Sequence, residues 1–336
     1  MTTQNISNRK DAHLSRCLLP DMRGSGSTLP NIHLPYEADF PISDTALDTS
    51  TSIADRQLAF PLIIGCMTGG THAATEFNET LRQIAGEFGI GLGLGSIRAC
   101  LENAALLPTY GATSTHWLFG NIGISEIMHE RHTPDTVRAM LQKLGCHGLY
   151  IHFNMIQEWL QPEGDHDRYT DLDILNRFIN HLDMPVILKE VGSGIGGKCA
   201  QRLAKLNIRG IETASQNGTS WIRIEASRRS PTLDPLFTHA LDQIGIPLER
   251  AIRDCRQALG KRTVIASGGI EDPLTLVKCL ACGADAVSIA QPIYAAYKSG
   301  GTQAARRWIH DLIQTSRLIW RSTGSKNIST LRQVIL

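Results

Sequence analysis

Eight short β-rich runs, each followed by a stretch with helical period, dominate the chain from residue 61 onward. They are PLIIGCM (61–67), GIGLGLGS (89–96), HWLFGNIG (116–123), GLYIHFN (148–154), PVILKEV (185–191), GIETAS (210–215), TVIASGG (263–269) and AVSIAQPI (286–293). After the first run, Phe77, Leu81, Ile84, Ala85 and Phe88 share one helical face. Near the end, Ala305, Trp308, Ile309, Leu312 and Ser316 recur at three- and four-residue steps. Eight strand–helix units are the count of a (β/α)8 TIM barrel. A doubly wound sheet has the same local pattern; the even spacing and the number eight favour the barrel. Residues 1–60, rich in Ser, Thr, Asp and Pro, read as an irregular N-terminal arm, and no linker divides residues 61–336. The connection 216–246, after the sixth run, is long enough to form a lid-like insertion over the site.

The 33 Lys and Arg against 32 Asp and Glu leave a formal net charge of +1, which argues against a nucleic-acid binder that relies on bulk positive charge. With 42% hydrophobic and 19% charged residues, the composition supports a large core and argues against disorder. No apolar run reaches the roughly 18 residues a membrane helix needs. The opening MTTQNISNRK lacks the apolar core of a signal peptide, so a cytoplasmic setting without a membrane partner is expected. The eight cysteines are scattered and read as reduced. Cys279-Leu-Ala-Cys282 has CxxC spacing, but no second pair or nearby His completes a zinc set, and small residues there suit helix-on-strand packing.

Barrel active sites form at the C-terminal ends of the strands. Those ends read Met67-Thr68-Gly69-Gly70, Gly95-Ser96-Ile97-Arg98, Asn121-Ile122-Gly123, His152-Phe153-Asn154, Lys189-Glu190, Ala214-Ser215, Ser267-Gly268-Gly269 and Ala290-Gln291. Turns favour Gly and Ser anyway, but that preference does not explain Asn121, His152, Asn154 and Lys189 ending apolar strands. Along the fourth run, Leu149, Ile151 and Phe153 face one way and Tyr150, His152 and Asn154 the other. Gln157-Glu158 and Gln161-Pro162-Glu163-Gly164-Asp165 extend this polar cluster.

Ser267-Gly268-Gly269 and Ala290-Gln291 occupy the usual phosphate-binding place of a barrel, where glycines let backbone N–H groups approach oxygens. Lys189 suits the anionic locus of a flavin ring, with Thr68, Ser96 and Asn121 at its edge. Arg9, Lys10 and His13 on the arm, with Arg98, suit a second phosphate-bearing ligand if the arm folds over the mouth. Glu158 would then hold Mg²⁺ against that ligand. His129, His132 and His166 read as surface residues.

Several stretches together resemble the type 2, FMN-dependent isopentenyl-diphosphate isomerases. They are NRKDAH (8–13), PLIIGCMTGGT (61–71), GLGSIR (93–98), IHFNMIQEWLQPEGD (151–165), LKEVGSGI (188–195), NGTSWIRIEASR (217–228), ASGGI (266–270) and CGADAVSIAQP (282–292). The resemblance implies an FMN-binding (β/α)8 barrel that interconverts isopentenyl and dimethylallyl diphosphate by a 1,3-allylic proton shift. It implies reduced FMN as the acid/base, NADPH as reductant and Mg²⁺ for the diphosphate. Met67, Thr68, Gly69, Ser96, Asn121, Lys189, Thr219, Ser267, Gly268, Gly269, Ala290 and Gln291 would contact FMN. Arg9, Lys10, His13, Ser96, Arg98, His152, Asn154 and Gln157 would line the prenyl diphosphate site, with Gln157, His152, Asn154 and Lys189 acting in the reaction. Glu158 would be the magnesium ligand, and a homo-oligomer, tetramer or larger, is implied.

The chain departs from that pattern at two places. The family's AGxGGT run is replaced by Ala214-Ser215-Gln216-Asn217-Gly218-Thr219, where Asn217 tolerates positive φ and Ser215 does so only at a cost. Glu271 stands where the family commonly has Arg, setting an anion near the phosphate locus. These departures bear on FMN affinity and on which prenyl diphosphate the pocket takes. An FMN-dependent hydroxy-acid oxidoreductase would share the barrel and the lysine, and a related enzyme for another prenyl diphosphate would share the whole pocket.

Overall fold

The computed structural model describes residues 3–19, 22, 29–161, 170–229 and 231–335. Each of the eight apolar runs contains one strand: β3 (Leu62–Ile64), β4 (Gly91–Gly93), β5 (Leu118–Gly123), β6 (Gly148–Phe153), β7 (Val186–Glu190), β8 (Gly210–Glu212), β9 (Thr263–Ser267) and β10 (Ala286–Ile289). They follow two earlier strands, β1 (Thr51–Ile53) and β2 (Arg56–Leu58). The eight form a closed barrel in chain order, and β10 closes in parallel on β3 with Val287 opposite Leu62. The ring is therefore a (β/α)8 barrel rather than an open, doubly wound sheet.

Period-two alternation divides the core into two layers. Leu149 and Ile151 of β6 join the outer layer under the helices, while Tyr150 joins an inner layer with Ile63, Trp117, Phe119, Ile187 and Ile265. Inside, Trp117 stacks on Phe119 with centroids 4.1 Å apart, and Phe119 meets the edge of Tyr150 at 5.6 Å. Offset and edge contacts of this kind contribute about 0.5–1.5 kcal/mol each beyond buried area.

The arm differs from the irregular segment its composition suggests, in two ways. β1 and β2 form an antiparallel hairpin whose turn residues Ala54 and Asp55 both have positive φ, 49° and 66°. This hairpin seats Ile53 and Leu58, both fully buried, in the inner layer. It is fastened around the N-terminal end of the ring: Trp117 Nε1 donates to Ile53 O at 3.0 Å, and Thr51 Oγ1 donates to Asp285 O at 3.1 Å. Arg56 donates to His116 O at 3.1 Å, and Arg209 pairs with Asp55 at 3.1 Å. The hairpin is a floor plug. The second difference is a helix over Thr3–Arg16, lying across the opposite end. Its sequence has no apolar stripe, so contacts to the barrel mouth hold it in place.

Within 216–246 are two short helices, Trp221–Ala226 and Pro235–Asp242. Ser220 caps the first and donates to Asp242 Oδ1 at 2.5 Å, and Arg223 Nε reaches Asp242 Oδ2 at 2.8 Å. The eight cysteines are free thiols. Cys279, on the helix Pro273–Ala281, is buried, and burial pushes its thiol well up. No helix among the described residues is long and apolar enough to cross a membrane.

Candidate active site

Register places the chemistry. Gly123, His152, Lys189 and Glu212 are successive partners across β5, β6, β7 and β8, so one inward-facing row carries an imidazole, an ammonium and a carboxylate side by side. His152 Nδ1 hydrogen-bonds Asn121 Oδ1 at 2.9 Å. Burial, with Lys189 and Arg9 nearby, pushes the His152 imidazole down to about 3. The ring is thus neutral at physiological pH; Nδ1–H donates to Asn121 and Nε2 keeps a lone pair. Lys189 Nζ donates to Glu190 O at 2.8 Å and stands 3.9 Å from Glu212.

Beyond β6 the chain turns at Asn154 into the helix Met155–Leu160. Residues 154, 157, 158 and 161 recur on one helical face. Asn154 Nδ2 donates to Glu158 Oε1 at 2.9 Å and, at 3.4 Å, to Gln157 Oε1. Asn154 Oδ1 is buried without a hydrogen-bond partner among the described residues. Gln157 Nε2 donates to Glu225 Oε1 at 3.1 Å.

The Thr3–Arg16 helix brings its basic residues to the same place. Arg9 donates to Gln161 Oε1 at 2.9 Å. Lys10 donates to Gly69 O and, at 3.2 Å, to Ser96 O. Burial first, then Arg9, lowers the Lys10 ammonium to about 7. His13 Nε2 lies 2.8 Å from Glu225 Oε1 and meets Trp221 edge-on. Burial holds His13 below its ordinary range despite that carboxylate, so Arg9 carries most of the helix's charge here at neutral pH. Arg98 lies between Glu102 at 2.9 Å and the buried Glu126 at 3.3 Å. Glu126 also accepts from Arg131 at 2.9 Å, with His132 at 3.7 Å, while His129 is exposed.

Three carboxylates of this site are absent from the sequence reading. Glu212 sits at the bottom of the pocket on β8, where period-two reading of GIETAS points it inward. Glu126 anchors Arg98. Glu225 joins the first insertion helix to His13, Gln157 and Arg228. Burial pushes the Glu225 carboxyl up, but the His13 and Gln157 hydrogen bonds and the Arg228 charge outweigh it and hold it below the usual range. Glu225 is fully buried on the helix Trp221–Ala226, which its charge in the sequence does not announce.

Across the mouth, Gly268 and Gly269 take left-handed φ values of 103° and 77°. A Cβ on Gly268 would lie 2.3 Å from Ser215 O, and one on Gly218 would lie 2.7 Å from Gly269 N. The two loops therefore touch backbone to backbone. The expected strain at Ser215 is absent: Ala214, with φ 42°, takes the left-handed position, while Ser215 and Asn217 do not. Ser215 Oγ instead lies within hydrogen-bond reach of Ser267 O at 3.1 Å and Gly268 O at 3.2 Å, and Asn217 Oδ1 accepts from Leu248 N–H at 3.0 Å. The substitutions re-lace the loop. Ser215→Gly should therefore cost about 2 kcal/mol of stability by removing those contacts. Ala214→Gly should stay within about 1 kcal/mol of the parent, as relief of left-handed strain offsets glycine's entropy. Urea unfolding of the two variants checks this order.

One cavity is lined by every residue expected to touch FMN, the substrate or the metal. Arg9, Lys10, His13, Arg98, His152, Asn154, Gln157 and Glu158 line it on one side. Met67, Thr68, Gly69, Ser96, Asn121, Lys189, Thr219, Ser267, Gly268, Gly269, Ala290 and Gln291 line the rest. Glu271 is exposed at its rim. Pro162, Glu163, Gly164, Asp165 and His166 lie outside the described residues. A flavin phosphate fits the glycine side: no backbone acceptor meets the N–H of Gly269 or Ile270 among the described residues. Among those residues no cluster of three or more His, Cys, Asp or Glu could hold a metal by itself. The single carboxylate of Glu158 fits Mg²⁺, which takes one or two carboxylates plus phosphate and water oxygens.

Residues 121–336 match the family described as FMN-dependent dehydrogenase. Over nearly its whole length the chain is similar to proteins named isopentenyl-diphosphate delta-isomerase. The protein from Mycobacterium marinum is 33% identical over 98% of this chain and 96% of its own. That from Halobacterium salinarum is 32% identical over 99% and 95%, and that from Ignicoccus hospitalis 31% identical over 95% and 90%. Among solved structures, a mandelate oxidase bound to a bromo-hydroxy-methylphenylacetate superimposes with a TM-score of 0.67 at 17% identity, covering 97% of both chains. That likeness establishes the fold. The chain thus belongs to the FMN-dependent dehydrogenase family, within its branch of isopentenyl-diphosphate delta-isomerases.

Proposed function

We propose that this protein interconverts isopentenyl diphosphate and dimethylallyl diphosphate, using reduced FMN in the barrel-mouth cavity. The observation that carries the reading is the meeting of two anion-binding regions in one pocket: glycine loops on β8–β10, and the Arg9, Lys10, Arg98 group with Glu158 on the other side. In its reduced form, FMN supplies an acid/base that exchanges a proton with an alkene carbon. Thr68, Ser96, Asn121, Lys189 and Thr219 would hold its ring and ribityl chain, and Gly268, Gly269, Ala290 and Gln291 its phosphate. Lys189, 3.9 Å from Glu212 beneath it, would face an anionic ring with its amine.

Neutral His152 offers an acceptor rather than a cation. Gln157, held by Glu225, and Asn154, held to Glu158, orient the allylic end of the substrate. Arg9, Arg98 and Lys10 would bind the diphosphate, and Glu158 would hold the Mg²⁺ that offsets its charge. We further propose NADPH as the reductant, a cytoplasmic setting and a homo-oligomer, tetramer or larger, all following the family resemblance.

The test is an anaerobic assay of the purified protein with isopentenyl diphosphate, FMN, NADPH and Mg²⁺. Dimethylallyl diphosphate should form, with deuterium entering product in D₂O. Flavin reduction by a 2-hydroxy acid, with no isomerisation, would instead favour a hydroxy-acid oxidoreductase; a colourless protein that takes up no FMN would remove both readings.

Lys10 gives the site a pH signature. Its folded-state value, about 7, is below the ordinary 10.5, so the ligand-free chain gains stability as pH rises from about 7 toward 10.5. Diphosphate binding favours the protonated amine. In consequence kcat/KM should fall above about pH 7, approaching tenfold per unit, while Lys10→Arg keeps a flat profile to pH 9. Steady-state rates across that range decide it.

A further inference from the structure

Glu190 ends β7 one residue beyond Lys189, and the proposed reaction gives it no task. Its carboxylate nonetheless accepts three backbone hydrogen bonds. Three successive backbone N–H groups, of Gly192, Ser193 and Gly194, converge on the single oxygen Oε2, at 2.5 Å from Gly192 and 3.0 Å from Gly194. Converging amides of this kind form an anion-binding nest, here filled by the chain's own side chain. The nest bends residues 191–194 back over the strand end. Glu190 O there receives Lys189 Nζ at 2.8 Å.

The same loop reaches the other functional segments. Ser193 O accepts from Ile246 N–H at 2.9 Å, and Ile246 O accepts from Gln216 N–H at 3.2 Å. A Cβ on Gly192 would lie 3.0 Å from Thr219 O, and one on Gly194 would lie 3.3 Å from Ser215 Cα. The nest thus fastens together the lysine's anchor, the end of the insertion and the loop that carries Ser215 and Thr219.

We propose that Glu190 is a positioning residue: its carboxylate, seated in the Gly192–Gly194 nest, fixes the backbone that sets where the Lys189 ammonium stands in the flavin site. This rests on the reading that Lys189 faces the flavin. A water in the nest could not replace the carboxylate, because it would lack both the charge and the covalent tether to β7.

The test compares Glu190→Ala, Glu190→Asp and Lys189→Met with the parent. In FMN-free protein, reductive methylation with peptide mass spectrometry reads how accessible the Lys189 amine is. In FMN-loaded protein, the midpoint potential of the bound flavin is measured. Glu190→Ala should raise Lys189 labelling at least fivefold and shift the potential in the same direction as Lys189→Met. Combined with Lys189→Met it should add nothing further, since both act through one amine. If Glu190→Ala does not fold, Glu190→Asp carries the test, because a side chain one methylene shorter withdraws the oxygen from the nest and should give the same rise.

Unchanged labelling, or a potential shift that adds fully to that of Lys189→Met, would overturn the proposal. If Lys189→Met itself leaves the potential untouched, the flavin contact of Lys189 fails instead, and the labelling arm still decides the role of Glu190.

Discussion

Replacing Glu158 by Gln is expected to leave a yellow, folded protein whose kcat/KM for isopentenyl diphosphate falls at least a thousandfold. That factor corresponds to about 4 kcal/mol of lost transition-state stabilisation. Gln preserves an oxygen for Asn154 Nδ2, now 2.9 Å from Glu158 Oε1, so the local bond survives and only the charge is removed. Without that charge a metal held as proposed would lose the Glu158 carboxylate, and the diphosphate would lose a counter-ion in a partly desolvated pocket. Raising Mg²⁺ should recover part of the rate, while FMN affinity stays within twofold. A rate within tenfold of the parent at low Mg²⁺ would remove Glu158 from the metal site.

The second large effect belongs to the opposite wall. Gly268→Ala puts a Cβ on a residue with φ 103° and within 2.3 Å of Ser215 O, where both partners are backbone or tightly tied to it. Left-handed strain and overpacking together should cost about 3 kcal/mol, and FMN should bind at least a hundredfold more weakly as the two loops part. Gly145→Ala is the control: its φ is 71°, but no atom lies within 4 Å of the added carbon. It should show strain alone, about 1 kcal/mol, with unchanged FMN affinity. Denaturant midpoints and flavin fluorescence titrations separate the two. Equal loss in both variants would mean that loop contact has no part in holding the phosphate.

The eight barrel strands were legible because each is a short apolar run between turn signals, and barrel closure follows from their number. The His152 side of the pocket was legible for a related reason: polar residues at alternate positions of an apolar strand must face inward together. The hairpin was not. Its strands are three residues each, and Ala54-Asp55 lacks the Asn-Gly or Asp-Gly signature of such a turn. The Thr3–Arg16 helix was hidden because its order comes from contacts distant in sequence, such as Lys10 to Gly69, 59 residues away, and Arg9 to Gln161, 152 residues away. Glu225 was hidden because a carboxylate in a helix normally reads as solvated. Ser215 misled in the other direction, since the left-handed demand had moved one residue back to Ala214.

The stopper formed by β1 and β2 has a kinetic consequence. Among the described residues Ile53, Leu58 and Trp117 seal one end, which leaves access to the barrel at the opposite mouth, where the Thr3–Arg16 helix lies. Whatever sits deepest must be loaded first and leave last. A diphosphate entering by that mouth would lie over a resident flavin, with the Thr3–Arg16 helix beside its path.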